Sequence, residues 1–265
     1  MKPIGIFDSG VGGLGIMQTV ARLLPNEDIV YVADNKNLPF GEKTPEQLEL
    51  ITEKIVSYFI QEHNVKLVVA ACNTATVATI ASLRSKFSIP FVGVVPVIKP
   101  MCEQTQTKCV ALLSTPMTTD SQYIKDLVEK FGNGVQVLKI GCPGLADKVD
   151  AGLVGTPDMD EYLKNLLTPV LKHPIDMIGL GCTQYPFVRD QIQNIVGPFV
   201  TILDSNVPVA RQVKRVLEAM PDGITQESHK SQYRFYVTKD PEKFETVAKQ
   251  LIGPDLVRRV EFVVL

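Results

Sequence analysis

The sequence predicts an α/β protein built on parallel sheets with helices on both faces, and three observations point there. Short apolar runs alternate with helix-length amphipathic stretches along the whole chain. Two cysteines, Cys72 and Cys182, stand in near-equivalent settings 110 positions apart. Each setting reads as a buried strand ending in Cys and then Thr or Asn-Thr, which places both thiols at carboxyl ends of parallel strands, where such sheets keep their chemistry.

Strands are expected at 3–7, 29–32, 67–71, 91–95, 109–113, 135–140, 177–180 and 199–203. Each is a short apolar run bounded by polar or turn residues. Helices are expected between them, for example at 44–62, 74–86, 120–131 and 158–171. The likeness of the two cysteine settings suggests internal duplication. Pro96 and Pro100 after the fourth strand, and Asp204 to Pro208 after the eighth, mark crossings between two domains. The expected division is 1–96 plus 206–265 for a discontinuous first domain and 97–205 for the second. A last helix at 208–220 carries apolar residues at helical spacing over 210–217, a core-facing stripe, and the tail from 233 to 265 returns to the first domain.

Composition excludes several classes of function. With 265 residues, 27 Lys and Arg against 29 Asp and Glu, and no long run of like charge, the chain offers no phosphate-backbone surface, so no nucleic-acid partner is expected. No apolar run approaches the roughly 18 to 20 residues of a membrane span and no signal region opens the chain, so a soluble, cytoplasmic protein without a membrane partner is expected. Five cysteines without CxxC spacing, and three histidines outside every motif, support neither a disulfide framework nor a metal site.

The chemistry-bearing motifs lie at strand exits. Gly10-Val11-Gly12-Gly13-Leu14-Gly15 matches a dinucleotide fingerprint, with Asp34 in the ribose-binding position 19 residues later. Asp8 stands where pyrophosphate would approach and no hydride-transfer apparatus follows, so a small carboxylate suits the turn better. Asp8-Ser9 supplies an acid and a hydroxyl that either cap the next helix or orient a proton. Leu38-Pro39-Phe40-Gly41 is a turn near the same sheet edge. A thiol beside the first amides of a helix feels positive potential, which makes thiolate accessible near neutral pH, and two such thiols suggest an acid/base pair. Cys102 and Cys109 lack that context and read as structural, whereas Cys142 follows a strand without an accompanying Thr or Asn.

Taken in chain order, these stretches resemble the glutamate racemases of the aspartate/glutamate racemase superfamily. The matching segments are Phe7 to Leu14, Leu38 to Gly41, Ala71-Cys72-Asn73-Thr74-Ala75, Thr115-Pro116-Met117-Thr118, Cys142-Pro143 through Val149-Asp150-Ala151-Gly152, Gly181-Cys182-Thr183-Gln184-Tyr185-Pro186, Leu203-Asp204-Ser205, and Phe235 to Asp240. The resemblance implies two similar doubly wound α/β domains facing a central cleft. It also implies cofactor-independent interconversion of L- and D-glutamate, the D-isomer supplying peptidoglycan synthesis and through it cell-wall biogenesis and cell shape. Cys72 and Cys182 would act from opposite faces of the substrate α-carbon, with Asp8, Asp150 and Gln184 assisting. Substrate contacts are implied for Asp8, Ser9, Pro39, Phe40, Gly41, Asn73, Thr74, Thr115, Thr118 and Thr183. Homodimers are common in the family, and some members touch DNA gyrase.

The chain departs from the family at four places. Gln184 stands where the family usually has His, and Asp150 where it has Glu; both fall on the Cys182 side. Glutamine hydrogen-bonds but does not titrate, so Gln184→His is expected to raise turnover from L-glutamate. Phe40 replaces a usual Tyr, and Lys239 a usual Gly. The alternatives are a racemase for aspartate or another amino acid, a related decarboxylase or isomerase using the same cysteine pair, and a glutamate-binding relative of low or no activity.

Overall fold

The computed structural model describes residues 1–94, 97–225 and 228–265. In chain order the elements are β1 (Ile4–Asp8), α1 (Leu14–Leu23), β2 (Ile29–Ala33), α2 (Pro45–His63), β3 (Leu67–Ala70), α3 (Asn73–Lys86), β4 (Phe91–Gly93), α4 (Ile98–Gln104), β5 (Cys109–Ser114), α5 (Pro116–Asp120), α6 (Gln122–Phe131), β6 (Gln136–Gly141), α7 (Leu145–Asp150), α8 (Pro157–Leu167), β7 (Met177–Leu180), α9 (Arg189–Val196), β8 (Thr201–Leu203), α10 (Asn206–Glu218), β9 (Tyr233–Val237), α11 (Pro241–Ile252) and β10 (Val260–Phe262). They form two compact units, Met1–Val95 with Asn206–Leu265, and Pro96–Ser205.

The first unit carries a six-stranded sheet in the order β10-β9-β2-β1-β3-β4, parallel throughout. Its central strands β1, β2 and β3 are buried at every residue, which is why they read as unbroken apolar runs: a parallel sheet is covered on both faces. Helix α2 begins with a capping box, Thr44 accepting from the Gln47 amide and Gln47 returning to the Thr44 amide. It buries Leu48, Ile55, Val56 and Phe59 in a cluster with Val30, Val32, Val68 and Ala70. Each such side chain contributes about 1.5 to 3 kcal/mol by leaving water. Close packing there depends on Gly5, whose added Cβ would lie 3.0 Å from the Phe59 ring.

The second unit repeats the plan with four parallel strands in the order β6-β5-β7-β8. That order matches β2-β1-β3-β4 of the first sheet. In each unit the first strand is central, the second pairs on one side and the third on the other. The resulting switch point opens a crevice at the strands' carboxyl ends. Strand β6, at the sheet edge, is only partly covered and carries Gln136 and Lys139. Helix α4 rests on β7 because residue 179 is glycine: a Cβ there would lie 2.5 Å from both Met101 Sδ and Val97 Cγ2.

Several boundaries differ from the sequence reading, each for a local reason. Pro100 is no crossing point; it lies in the first turn of α4, where a missing N–H removes no intrahelical bond. Val95 and Pro96 lie outside the described residues. Asp120 closes α5 rather than opening a helix, because Ser121 is extended and caps α6 by accepting from the Ile124 amide. Strand β8 starts at Thr201, since Gly197 has φ +78° and Pro198 follows, leaving Phe199 in an exposed turn.

Candidate active site

The first half of the candidate site forms around the end of β1. Phe7 pairs with Ala70, and the Ala71 amide continues the ladder to the Phe7 carbonyl at 2.8 Å, so Ser9 falls beside Cys72. The Asp8 carboxylate is fully buried and accepts from the Ser9 amide at 2.7 Å and from the Gly13 amide. Those amides are the donors that a pyrophosphate would need from this turn, and the protein's own carboxylate occupies them. Gly13 lets the turn lie against the strand ends: a Cβ there would be 2.9 Å from Ala71 Cβ and from the Tyr31 hydroxyl, and 3.0 Å from Asp8 Cβ. Asp34 is equally committed, accepting from Thr238 Oγ1 at 2.7 Å and Asn37 Nδ2 at 2.8 Å.

Cys72 is the N-cap residue of α3, in an extended conformation that spends no side-chain bond on the cap. Cys72 is buried and belongs to the apolar cluster that includes Phe40 and Ala75. The first turn of α3 is pinned by Thr76, whose hydroxyl donates to the Ala70 carbonyl and accepts from the Val94 amide, both at 3.0 Å. Asn73 follows, 7% exposed, and its Nδ2 has no hydrogen-bond partner. That places an amide donor beside a thiol at a helix start, where it can hydrogen-bond an acceptor such as a carboxylate. Thr74 is half-buried. Pro39, Phe40 and Gly41 sit in a turn, Phe40–Glu42, that packs against α3; Phe40 is core, while a Cβ on Gly41 would meet nothing within 4 Å.

The second half forms around the end of β5. Leu113 pairs with Leu180, and the Gly181 amide donates to the Leu113 carbonyl at 2.7 Å, which brings Thr115 beside Cys182 as Ser9 is beside Cys72. Thr115 caps α5: its hydroxyl accepts from the Thr118 amide and donates to the Thr118 hydroxyl at 2.9 Å. Behind it, Ser114 and Thr119 share a buried hydroxyl pair at 2.7 Å, which nothing in the spacing of those residues announces.

Cys182 does not open an α-helix, contrary to the sequence reading. Pro186 has no N–H to give the Cys182 carbonyl, so the chain closes on it three residues on, through the Tyr185 amide at 3.2 Å, and enters a 3-10 turn, Tyr185–Val188. The thiol's polar environment comes from side chains instead. Its S–H donates to Gln184 Oε1 at 3.0 Å, the Thr183 hydroxyl donates to the same oxygen at 3.3 Å, and Gln184 Nε2 donates to Asp150 Oδ2 at 3.3 Å. Asp150 therefore engages Gln184 across 34 positions of sequence, a link no motif spacing suggests.

The remaining cysteines are different in kind. Cys142 follows β6 on the other side of Thr115, but burial pushes its thiol up to about 12, so it stays protonated. Burial likewise raises Cys102 and Cys109, and Cys109 starts β5 at the opposite end of the sheet.

Residues 4–213 match the family model described as Asp/Glu/Hydantoin racemase. The chain belongs to this racemase family. Among curated relatives, the glutamate racemase of Herpetosiphon aurantiacus is 39% identical over 250 residues, covering 94% of this chain and 98% of its own. That of Clostridium novyi is 36% identical over 252 residues, covering 95% and 97%. Among solved structures, Escherichia coli glutamate racemase in complex with L-glutamate and activator UDP-MurNAc-ala superposes with a TM-score of 0.88 at 30% identity, over 100% of this chain and 99% of that one. An aspartate racemase of Picrophilus torridus, 16% identical with a TM-score of 0.57 over 82% of this chain and 94% of that one, shares the fold.

Proposed function

We propose that this chain is a glutamate racemase that interconverts L- and D-glutamate by proton transfer at the α-carbon, with Cys72 and Cys182 as the two acid/base groups and no cofactor. One observation carries the reading: the unpaired Asn73 Nδ2, buried beside Cys72. An amide donor in that position suits a substrate carboxylate, and such a charge-assisted bond removes the cost of leaving the donor unmade. The hydroxyls of Ser9, Thr74, Thr115, Thr118 and Thr183 supply further polar contacts for two carboxylates and an ammonium.

The chemistry follows from stereochemistry. Removing the α-proton leaves a planar carbanion, and inversion requires a proton delivered to the opposite face. One thiolate takes the first proton and becomes a thiol; the other thiol gives up its own and becomes a thiolate. A thiol's ordinary pKa of about 8.5 lies near enough to working pH for both roles. Glutamate is favoured over aspartate because the relatives named glutamate racemases match over nearly their whole length at 36% and 39% identity. The product D-glutamate would feed peptidoglycan synthesis in the cytoplasm; among the described residues no helix is long and apolar enough to cross a membrane.

The test is solvent deuterium incorporation at the α-carbon of each enantiomer of glutamate and aspartate, in the native chain and in Cys72→Ala and Cys182→Ala. The expected result is racemisation of glutamate alone by the native chain and its loss in either variant. Binding of glutamate without exchange or racemisation would overturn the enzymatic reading, and full racemisation by either variant would overturn the two-thiol mechanism.

A further inference from the structure

We infer that Asp150 is a positioning residue that locks the Gln184 amide with its carbonyl toward Cys182, so that Cys182 rests as a thiol and its thiolate is the disfavoured state. The kinetic consequence rests on the two-thiol reading above; the proton affinity of Cys182 does not.

An ionised carboxylate only accepts hydrogen bonds, so of the two ends of the Gln184 side chain only the NH2 can face Asp150 Oδ2, 3.3 Å away. That leaves Oε1 for Cys182, at 3.0 Å, where the S–H donates to it and Thr183 Oγ1 adds a second donor at 3.3 Å. A carbonyl oxygen stabilises the protonated thiol and repels a thiolate. Turning the amide over to offer its NH2 to a thiolate would set Oε1 against Asp150 Oδ2, two acceptors without a proton between them. The carboxylate thus acts on the thiol through the amide, over and above its own charge. An imidazole at position 184 would behave oppositely, since it can take the thiol's proton and remain paired with Asp150 as a cation.

Three other titratable groups lie around Cys182. Tyr185 follows it in the 3-10 turn, and Tyr162 and Cys142 lie beyond; burial raises all three, Tyr185 far above its ordinary value and the other two to about 12, so they are neutral at working pH. The Lys148 ammonium sits 5.6 Å from the Tyr162 ring centroid. In the reaction, the Cys182 S–H bond breaks and a C–H bond forms at the α-carbon, leaving the electron pair on sulfur opposite the Gln184 carbonyl. Catalysis that starts from this thiolate therefore starts from the minority form of the free protein.

The test is the pH dependence of Cys182 alkylation by iodoacetamide, read by mass spectrometry of the Cys182 peptide in a Cys72→Ala background. Asp150→Asn, Gln184→Leu and the double variant are compared with the parent. Asp150→Asn frees the amide to turn, and the midpoint should fall by about one unit or more, a tenfold gain in thiolate below the midpoint. In the Gln184→Leu background the same Asp150→Asn change should move the midpoint less, because only direct charge remains. Equal shifts in the two backgrounds, or no shift in either, would overturn the proposal.

A kinetic arm uses the chain with Cys72 intact. Two enantiomers have equal free energy, so kcat/KM must be the same for both, and bias appears as a common factor in kcat and KM. That factor should approach one in Asp150→Asn and is expected to differ from one in the native chain; an unchanged factor counts against the proposal. Absence of any racemisation would sink the two-thiol reading while leaving the alkylation result to stand.

Discussion

The unpaired Asn73 amide makes a prediction with two readouts of opposite sign. In the free protein its Nδ2 is buried without an acceptor, and such a donor costs about 1 to 3 kcal/mol. Asn73 is also the first residue of α3, where alanine is the better helix former by up to about 0.7 kcal/mol. Against this stand the packing contacts of a small side chain, about 1 kcal/mol for the atoms removed. Asn73→Ala should therefore leave the free protein as stable as the parent or up to about 3 kcal/mol more stable in urea unfolding. If Asn73 holds the substrate carboxylate as proposed, the same change deletes a charge-assisted bond, about 1.5 to 3 kcal/mol, and should raise KM for glutamate roughly 10- to 150-fold. Asn73→Asp separates shape from donation: it nearly keeps the volume, loses the donor and repels the carboxylate, so it should be the worse enzyme. Saturating glutamate should raise the melting temperature of the parent and much less that of either variant. A destabilised Asn73→Ala protein with unchanged KM would refute the assignment of the orphan donor to the substrate.

Three further outcomes follow from packing and charge. Gly13→Ala places a Cβ 2.9 Å from Ala71 Cβ, which no rotamer change can relieve, so it should cost about 1 to 3 kcal/mol in urea unfolding and lower kcat by displacing the Asp8 carboxylate; native-like stability would show that the turn has room. Lys66→Met removes the ammonium 2.5 Å from buried Glu27, which Thr225 also contacts, and should cost about 3 to 5 kcal/mol, most of it regained in Lys66→Met with Glu27→Gln; a loss below about 1 kcal/mol would mean water reaches the pair. His63 lies between Tyr58 and Tyr236 with both ring nitrogens unpartnered, and burial, then Arg234, lowers its pKa against the opposing Glu62. The unfolded chain therefore binds the proton more readily, and stability should fall as pH drops below about 6.5 until the folded value is passed. His63→Phe should flatten the urea midpoint between pH 5 and 7, and an unchanged slope would remove His63 as its source.

The parts of the fold that were legible in sequence are those governed by local pattern. Strands buried on both faces cannot alternate, so β1, β2, β3 and β7 announce themselves as apolar runs. The Thr44 capping box marks the start of α2 directly. What escaped was set by single backbone donors or by distance along the chain. Pro186 lacks one N–H, and that alone turns the expected helix after Cys182 into a 3-10 turn. Pro100 breaks nothing because the first turn of α4 asks nothing of its nitrogen. At the candidate site, motif spacing places both thiols at strand ends. It is silent on the Asp8 carboxylate filling its own glycine turn, on the Ser114–Thr119 pair and on the Asp150–Gln184 bond, each made by side chains whose meeting depends on the folded sheet.

The two halves share one topology and use a carboxylate differently. In the first unit Asp8 accepts from the backbone amides of Ser9 and Gly13, fixing the turn beside Cys72. In the second unit Asp150 accepts from a side-chain amide, and the amide's far end meets the Cys182 sulfur. Backbone amides cannot turn over, whereas a side-chain amide has two ends, and its orientation is set by what lies behind it. The Cys182 half thus holds a polarity that one substitution at a distance can release. Gln184→His and Asp150→Asn should both favour the Cys182 thiolate, the first by accepting its proton and the second by letting the amide rotate. If only the first does so, the amide is held by something other than Asp150.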